Sequence, residues 1–189
     1  MRSALVDSMN DELREAVLAA SVRNEVCDAV DEVYRELTAA IELRKPICKT
    51  SGRCCRFEEF GHRLYVSTME LAKFVHDWSV VRSPLSVVKS EQTPTDKKII
   101  LPILTTDNGP RTTDNRGCPY QIDGLCTVHR IRPFGCRIFF CDETSTDWQH
   151  EQYECLHGQL RRLHEQLSVP YHYVEWRFAL GVLDCLKTA

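Results

Sequence analysis

Apolar residues recur with helical spacing along the first 45 residues of the chain. From Asp7 to Leu43 they follow one another at steps of three, four or seven, with acids and arginines between them. Such spacing places them on one face of a helix, so the pattern predicts one long amphipathic helix that Pro46 ends. The stripe comprises Leu13, Val17, Ala20, Cys27, Val30, Tyr34, Leu37 and Ile41. Cys27 lies on it and is interpreted as a small buried hydrophobic residue.

The next stretch, RLYVSTMELAKFVHDW, predicts a short strand followed by a helix. Ser67 and Glu70 have the S-x-x-E spacing of a capping box ahead of an apolar run. Residues 79–95 mix polar residues with prolines and predict a loop. KKIILPIL then predicts an edge strand interrupted by Pro102, and TTDNGPRTTDNRG supplies turn formers that lead into a group of cysteines.

Helical spacing returns in the C-terminal part of the chain. One stripe comprises Trp148, Tyr153, Leu156, Leu160, Leu163 and Leu167, and a second, shorter one comprises Val174, Phe178, Leu183 and Leu186. Cys155 falls beside the first stripe, and Cys185 is interpreted as a packing residue in the second helix. The chain therefore predicts a mostly α fold with a few short strands. Residues 1–45 form an amphipathic N-terminal unit, residues 46–142 a compact cysteine-rich domain, and residues 143–189 a helical extension that packs on it.

Composition narrows the classes of function. The 189 residues carry a formal net charge of −3, whereas a nucleic-acid-binding protein usually has a basic balance. Acids interrupt the first twenty residues where a signal peptide needs an apolar core, and no stretch approaches the roughly 20 apolar residues of a membrane span. We expect a cytoplasmic protein with no membrane or nucleic-acid partner. Its ten cysteines are therefore expected to stay mostly reduced.

Seven of the cysteines form two groups. CKTSGRCCRF holds the first, and GCPYQIDGLCTVHRIRPFGCRIFFC holds the second with C-x7-C-x9-C-x4-C spacing. Glycines and prolines between the second four suit a loop that turns around a metal and directs amide N–H groups at sulfur. The candidate metal ligands are Cys48, Cys54, Cys55, Cys118, Cys126, Cys136 and Cys141.

Seven thiols exceed the four ligands of a single tetrahedral zinc. One iron–sulfur cluster with four cysteines, two zinc ions with bridging thiolates, and buried inert thiols all fit the count. Spacing does not choose between iron and zinc, because both accept tetrahedral sulfur. Cys54 and Cys55, if extended, would point in opposite directions and reach two different atoms. We expect them to meet Cys118 to Cys141 in space.

Arginines surround both cysteine groups, and their charge would offset that of several thiolates and lower the thiol pKa values. They are Arg53, Arg56, Arg116, Arg130, Arg132 and Arg137. Arg137 directly follows Cys136 and is the predicted cofactor-binding arginine. His129 lies inside the second group, but solvent exposure or a supporting hydrogen bond is favoured over metal ligation.

These motifs resemble the YkgJ-type cysteine-cluster family, described as zinc- or iron-chelating domains with a C-x-x-C-x-x-C-C signature. The resemblance covers roughly residues 46–142 and rests on the two cysteine stretches and on LYVSTMEL. One position departs: Ser51 stands where the signature has its second cysteine. Because serine is a poor ligand for soft metals, both cysteine groups would have to contribute ligands to one metal site.

The resemblance implies a cofactor more than a reaction. The first hypothesis is an iron–sulfur cluster or iron centre with a redox role or an unassigned enzymatic role, served by a redox or other protein partner. The second is a structural zinc module in a protein–protein complex. The third is a protein-modifying enzyme, because the flagellin lysine N-methylase has a similar cysteine domain. The chain has no G-x-G-x-x-G loop to support nucleotide-type methyl-donor binding.

Overall fold

A computed structural model of the chain describes residues 2–49, 51–82 and 117–183. Within these ranges helices dominate and the strands are short, so the predicted mostly α fold is confirmed. The elements are α1 (Arg2–Ser21), α2 (Asn24–Arg44), β1 (Tyr65–Ser67), α3 (Thr68–Arg82), β2 (Gln121–Ile122), β3 (Leu125–Cys126), α4 (Phe134–Ile138), α5 (Thr146–Gln166), β4 (Tyr173–Glu175) and α6 (Trp176–Val182). None of the described helices is long and apolar enough to cross a bilayer.

The N-terminal unit is two helices where the periodicity predicts one. Between α1 and α2, Arg23 is extended (φ −96°, ψ 109°), and its guanidinium donates to the carbonyl of Leu167 over 2.9 Å. A continuous helix over residues 7–43 would be about 55 Å long, whereas the break lets α1 and α2 both pack on α3. The expectation of one helix is therefore wrong, although its stripe is buried from Leu13 to Leu37.

The predicted capping box at the start of α3 is confirmed. The Ser67 N–H donates to Glu70 Oε2 over 2.8 Å, and the Glu70 N–H donates to Ser67 Oγ over 3.4 Å. Glu70 Oε1 also accepts the N–H of Phe134 over 3.1 Å. This buried carboxylate therefore joins the start of α3 to the start of α4.

Part of the predicted loop after this helix is helical instead. α3 continues to Arg82, so residues 79–82 form its last turn, because the prolines that favour a loop come only later in the sequence. The rest of that loop, the predicted edge strand at KKIILPIL and the turn-rich stretch up to Arg116 lie outside the described residues. Cys185 and Leu186 also lie outside the described residues.

The C-terminal extension contains a strand that the helical spacing did not predict. β4 pairs antiparallel with β1, with Val174 opposite Val66. Since α6 begins only at Trp176, the buried face of this helix differs from the predicted one. Phe178 is 48% exposed, whereas Trp176, Ala179, Leu180 and Leu183 are buried. The α5 stripe is confirmed by the burial of Leu156 and Leu160.

Two hydrophobic cores meet at α3, which contributes to both. The first joins Leu71 and Phe74 to Trp176 and includes the thiols of Cys55 and Cys118. The second joins Met69 and Ala72 of α3 to α2 and α5, and its members include Val30, Leu37, Phe134, Leu156 and Leu160. The cysteines therefore lie at the edge of a core to which all three sequence segments contribute.

Candidate metal centre

The first cysteine group folds as a turn rather than an extended strand. Arg53–Cys55 form a single 3₁₀ turn that follows Gly52, whose φ is +68°. As a result Cys54 Sγ and Cys55 Sγ lie on the same side, 4.0 Å apart. The expectation that the two side chains point in opposite directions is wrong, because it assumed an extended backbone.

Glycine at position 52 allows this turn to contact the second cysteine group. A Cβ there would lie 2.7 Å from the carbonyl oxygen of Gly124, at the tip of the β2–β3 hairpin. The Gln121 side chain, from the same hairpin, donates to the Gly52 carbonyl over 3.0 Å. The Cys118 N–H also donates to the Cys55 carbonyl over 2.7 Å. The two cysteine segments are therefore bound to each other through their backbones.

The Cys55 thiol lies at the middle of the cysteine cluster. It interacts with the thiols of Cys118, Cys126 and Cys54, and these interactions raise the pKa of Cys55. Hydrogen bonding from Cys55 is the main cause that lowers the pKa of Cys54 to about 6 and that of Cys126 to about 7. The pKa of Cys118 is lowered for the same reason. The pKa values of Cys54, Cys118 and Cys126 are thus lowered, whereas that of Cys55 is raised.

Backbone N–H groups also favour ionised sulfur here. The amides of Tyr120 and Val128, each two residues after a cysteine, help to lower the pKa of Cys118 and Cys126. Amide N–H groups two positions beyond a thiolate stabilise its charge in cysteine metal sites. This arrangement is what the Gly/Pro-rich spacing of the second group suggested.

Cys136, on α4, is the fifth thiol of the cluster. Burial is the main cause that raises its pKa, and the nearby charges of Cys118 and Cys126 raise it further. We refer below to Cys54, Cys55, Cys118, Cys126 and Cys136 as the thiol cluster.

Arg132 is the arginine whose charge acts on this cluster. It contributes to lowering the pKa of Cys54 and Cys126 and opposes the rise at Cys136. The predicted cofactor-binding residue, Arg137, is used elsewhere. Its guanidinium stacks over Tyr34, 4.1 Å from the ring centroid, and donates to two backbone carbonyls. The sequence favoured Arg137 because it adjoins Cys136, but the short helix α4 turns it toward α2.

The other two predicted ligands lie outside the thiol cluster. Cys48 is exposed, and Cys141 is half-buried, with its Sγ 3.4 Å from Ser51 Oγ. Ser51 therefore lies within hydrogen-bonding distance of the last cysteine of the second group. His129, which was not assigned as a ligand, is exposed.

The nine described cysteines are free thiols. In the described ranges no three or more His, Cys, Asp or Glu side chains are already arranged to hold a metal ion. The sulfur atoms of Cys54 and Cys55 lie 4.0 Å apart. Two thiolates on one tetrahedral ion, each about 2.3 Å from it, are about 3.8 Å apart. The 4.0 Å between Cys54 Sγ and Cys55 Sγ approaches that spacing.

Two buried N–H groups beside the thiol cluster donate to no oxygen or nitrogen acceptor among the described residues. They are Arg132 Nε and the indole Nε1 of Trp176. Both act on the cluster, since Arg132 lowers the pKa of Cys54 and Trp176 that of Cys118. A buried donor without a partner is costly. N–H donors that face sulfur would stabilise a metal centre whose thiolate ligands carry excess negative charge.

A cavity of about 540 Å³ opens beside the thiol cluster. Cys54, Cys136 and Cys141 are among the residues that line it, together with several aromatic side chains. The cluster is therefore reachable by a small molecule from this side, whereas its opposite side is packed into the first core. Comparisons of the chain with protein-family models, curated proteins and solved structures find no match.

Proposed function

We propose that this protein binds an iron–sulfur cluster or iron through the thiol cluster and uses it as a redox or reactive centre. The observation that carries the proposal is the meeting of five thiols from two segments that are distant in the sequence. Three of them have lowered pKa values. Thiolates are the form that binds soft metals. The resemblance to the YkgJ-type family is part of the proposal and points to the same chemistry.

The charge around the thiols supports an anionic cofactor. Four thiolates on one metal or cluster leave excess negative charge, and the buried donors of Arg132 and Trp176 lie beside the sulfur atoms without other partners. In the formed centre we assign these two groups to N–H···S hydrogen bonds. The cofactor itself would supply electron transfer or activation of a bound molecule.

The cavity along Cys54 and Cys136 favours a reactive centre over a purely structural one, since a structural site is closed to other molecules. The structural zinc module remains the competing hypothesis. The protein-modifying enzyme stays a prediction.

Anaerobic purification followed by absorption spectroscopy and metal analysis tests the proposal. We expect broad charge-transfer absorption, with iron and acid-labile sulfide in stoichiometric amounts, or iron alone. Exposure to air should bleach this absorption. A colourless protein that contains stoichiometric zinc would contradict the proposal and favour the structural module.

A further inference from the structure

Arg137 lies between α2 and the loop that joins the last two cysteines of the thiol cluster (residues 127–133). Its Nε donates to the carbonyl of Arg132 over 2.8 Å, and its Nη2 donates to the carbonyl of Arg130 over 2.9 Å. The guanidinium also stacks over the buried Tyr34 ring of α2, 4.1 Å from the ring centroid. One planar side chain therefore fixes two carbonyls of this loop against a helix.

The Arg132 side chain acts on the thiols from the same loop. Its charge helps to lower the pKa of Cys54 and that of Cys126. Its Nε is buried and donates to no oxygen or nitrogen acceptor in the described part of the chain, whereas its backbone carbonyl accepts the N–H of Arg137. The backbone of this residue is therefore held by Arg137, while its side chain acts on sulfur.

Carboxylates do not hold this loop in place. Within residues 2–49, 51–82 and 117–183, none of Arg130, Arg132 and Arg137 forms an ion pair with an acid. Burial, and to a smaller degree the like charge of Arg132, lowers the pKa of Arg137. Two cations that repel each other are thus kept close by carbonyl oxygens and by the Tyr34 ring.

We propose that Arg137 is a positioning residue of the metal centre, which holds the carbonyls of Arg130 and Arg132 and so keeps the Arg132 guanidinium beside the thiols. Arg137 acts on the centre through Arg132, and its contact with Tyr34 links the centre to α2. The assignment rests on the proposed function only for its effect on a bound metal, since the position of Arg132 is measured separately.

Labelling with phenylglyoxal, an arginine-selective reagent, tests the position of Arg132 in the protein as purified. Arg137→Lys keeps the charge but cannot donate to two carbonyls as a planar fork. Peptide mass spectrometry should show labelling of half-buried Arg132 roughly tenfold faster in this variant, the effect of lost hydrogen bonds on local opening. Exposed Arg130 is the internal reference and should keep its rate.

Arg161→Lys is the matched control for this substitution. Arg161 also stacks over a tyrosine ring, that of Tyr171, at 5.7 Å, but it is exposed on α5. Its replacement should leave the labelling of Arg132 unchanged. A general loss of stability is thereby separated from release of the loop.

A double-mutant cycle tests whether Arg137 acts through Arg132. The measured quantity is the rate at which the bound metal is lost to EDTA. Arg132→Gln and Arg137→Lys should each release metal roughly tenfold faster, the typical effect of losing a group that supports metal ligands. The double variant should be no faster than Arg132→Gln alone, because the two residues act as one unit.

Two results would overturn the inference: an unchanged labelling rate of Arg132 in Arg137→Lys, or effects that multiply to roughly a hundredfold faster release in the double variant. If circular dichroism shows that Arg137→Lys is unfolded, Tyr34→Leu removes the stacked ring instead and carries the same expectations. Wild-type protein that holds no metal would reject the proposed function, and the labelling would still decide whether Arg137 positions Arg132.

Discussion

Replacing Cys55 with serine is expected to lower the bound metal to about a tenth of the wild-type content or less, since serine is a poor ligand for soft metals. Cys55 contacts three other thiols of the cluster, and its Sγ lies 4.0 Å from Cys54 Sγ. Iron and sulfide analysis after anaerobic purification measures the loss. Cys155→Ser is the matched control, because Cys155 is exposed on α5.

Cys126→Ser is a second variant that keeps the test informative if Cys55→Ser misfolds. Cys126 is half-buried at the end of the β2–β3 hairpin, so its replacement disturbs the core less than a change at buried Cys55. It should show the same loss of metal while circular dichroism stays unchanged. Full metal occupancy in both folded variants would mean that the thiol cluster is not the binding site.

Replacing Glu70 with alanine is expected to reduce the free energy of unfolding by about 3 kcal/mol. Glu70 is 2% exposed, and its carboxylate accepts the backbone N–H groups of Ser67 and Phe134. Alanine would leave both donors without this partner and would release α4 from α3. Urea unfolding measures the change. Glu151→Ala, at an exposed acid on α5, should shift stability by no more than about 0.5 kcal/mol.

The same carboxylate gives a pH dependence with a defined sign. Burial raises the pKa of Glu70 from 4.5 to about 6, so the folded state holds this proton more tightly than the unfolded state. Its stabilising effect is complete below pH 4.5 and is lost as the pH rises through 6, a difference of about 2 kcal/mol. Glu70→Gln should remove this decline when urea unfolding is compared between pH 4.5 and 7. Equal declines in both proteins would show that Glu70 does not titrate as assigned.

Local patterns in the sequence were enough to predict several elements. The capping box at Ser67 and Glu70 depends on residues three positions apart, and the α5 stripe depends on spacing within one helix. Both are confirmed by the structure. The Gly/Pro-rich second cysteine group likewise predicted a loop that directs amides at sulfur, which the positions of Tyr120 and Val128 support.

The features that sequence reasoning missed depend on distant contacts. The break between α1 and α2 is held by Arg23 against Leu167, 144 positions away, while the step of seven from Ala20 to Cys27 hides it in the periodicity. β4 forms because its backbone pairs antiparallel with that of β1. Nothing in its own three residues distinguishes it from the first turn of a helix.

The candidate site shows the same division between local and distant information. Its cysteines were identified from composition and spacing, but the roles of neighbouring residues were not. The sequence favoured Arg137, which adjoins Cys136, but α4 turns Arg137 toward Tyr34, and the charge of Arg132 acts on the thiols instead. Trp176, whose indole lies beside Cys118, gave no signal because it is 58 positions from that cysteine.

X-ray absorption at the metal edge tests the central claim most directly, because it counts the ligand atoms around the metal in the intact protein. We predict iron with a first shell of sulfur alone, as thiolates from the thiol cluster with or without inorganic sulfide would give. In Cys155→Ser the shell should be unchanged. A first shell dominated by nitrogen or oxygen, or a metal that keeps the same shell in Cys55→Ser and Cys126→Ser, would contradict the assignment.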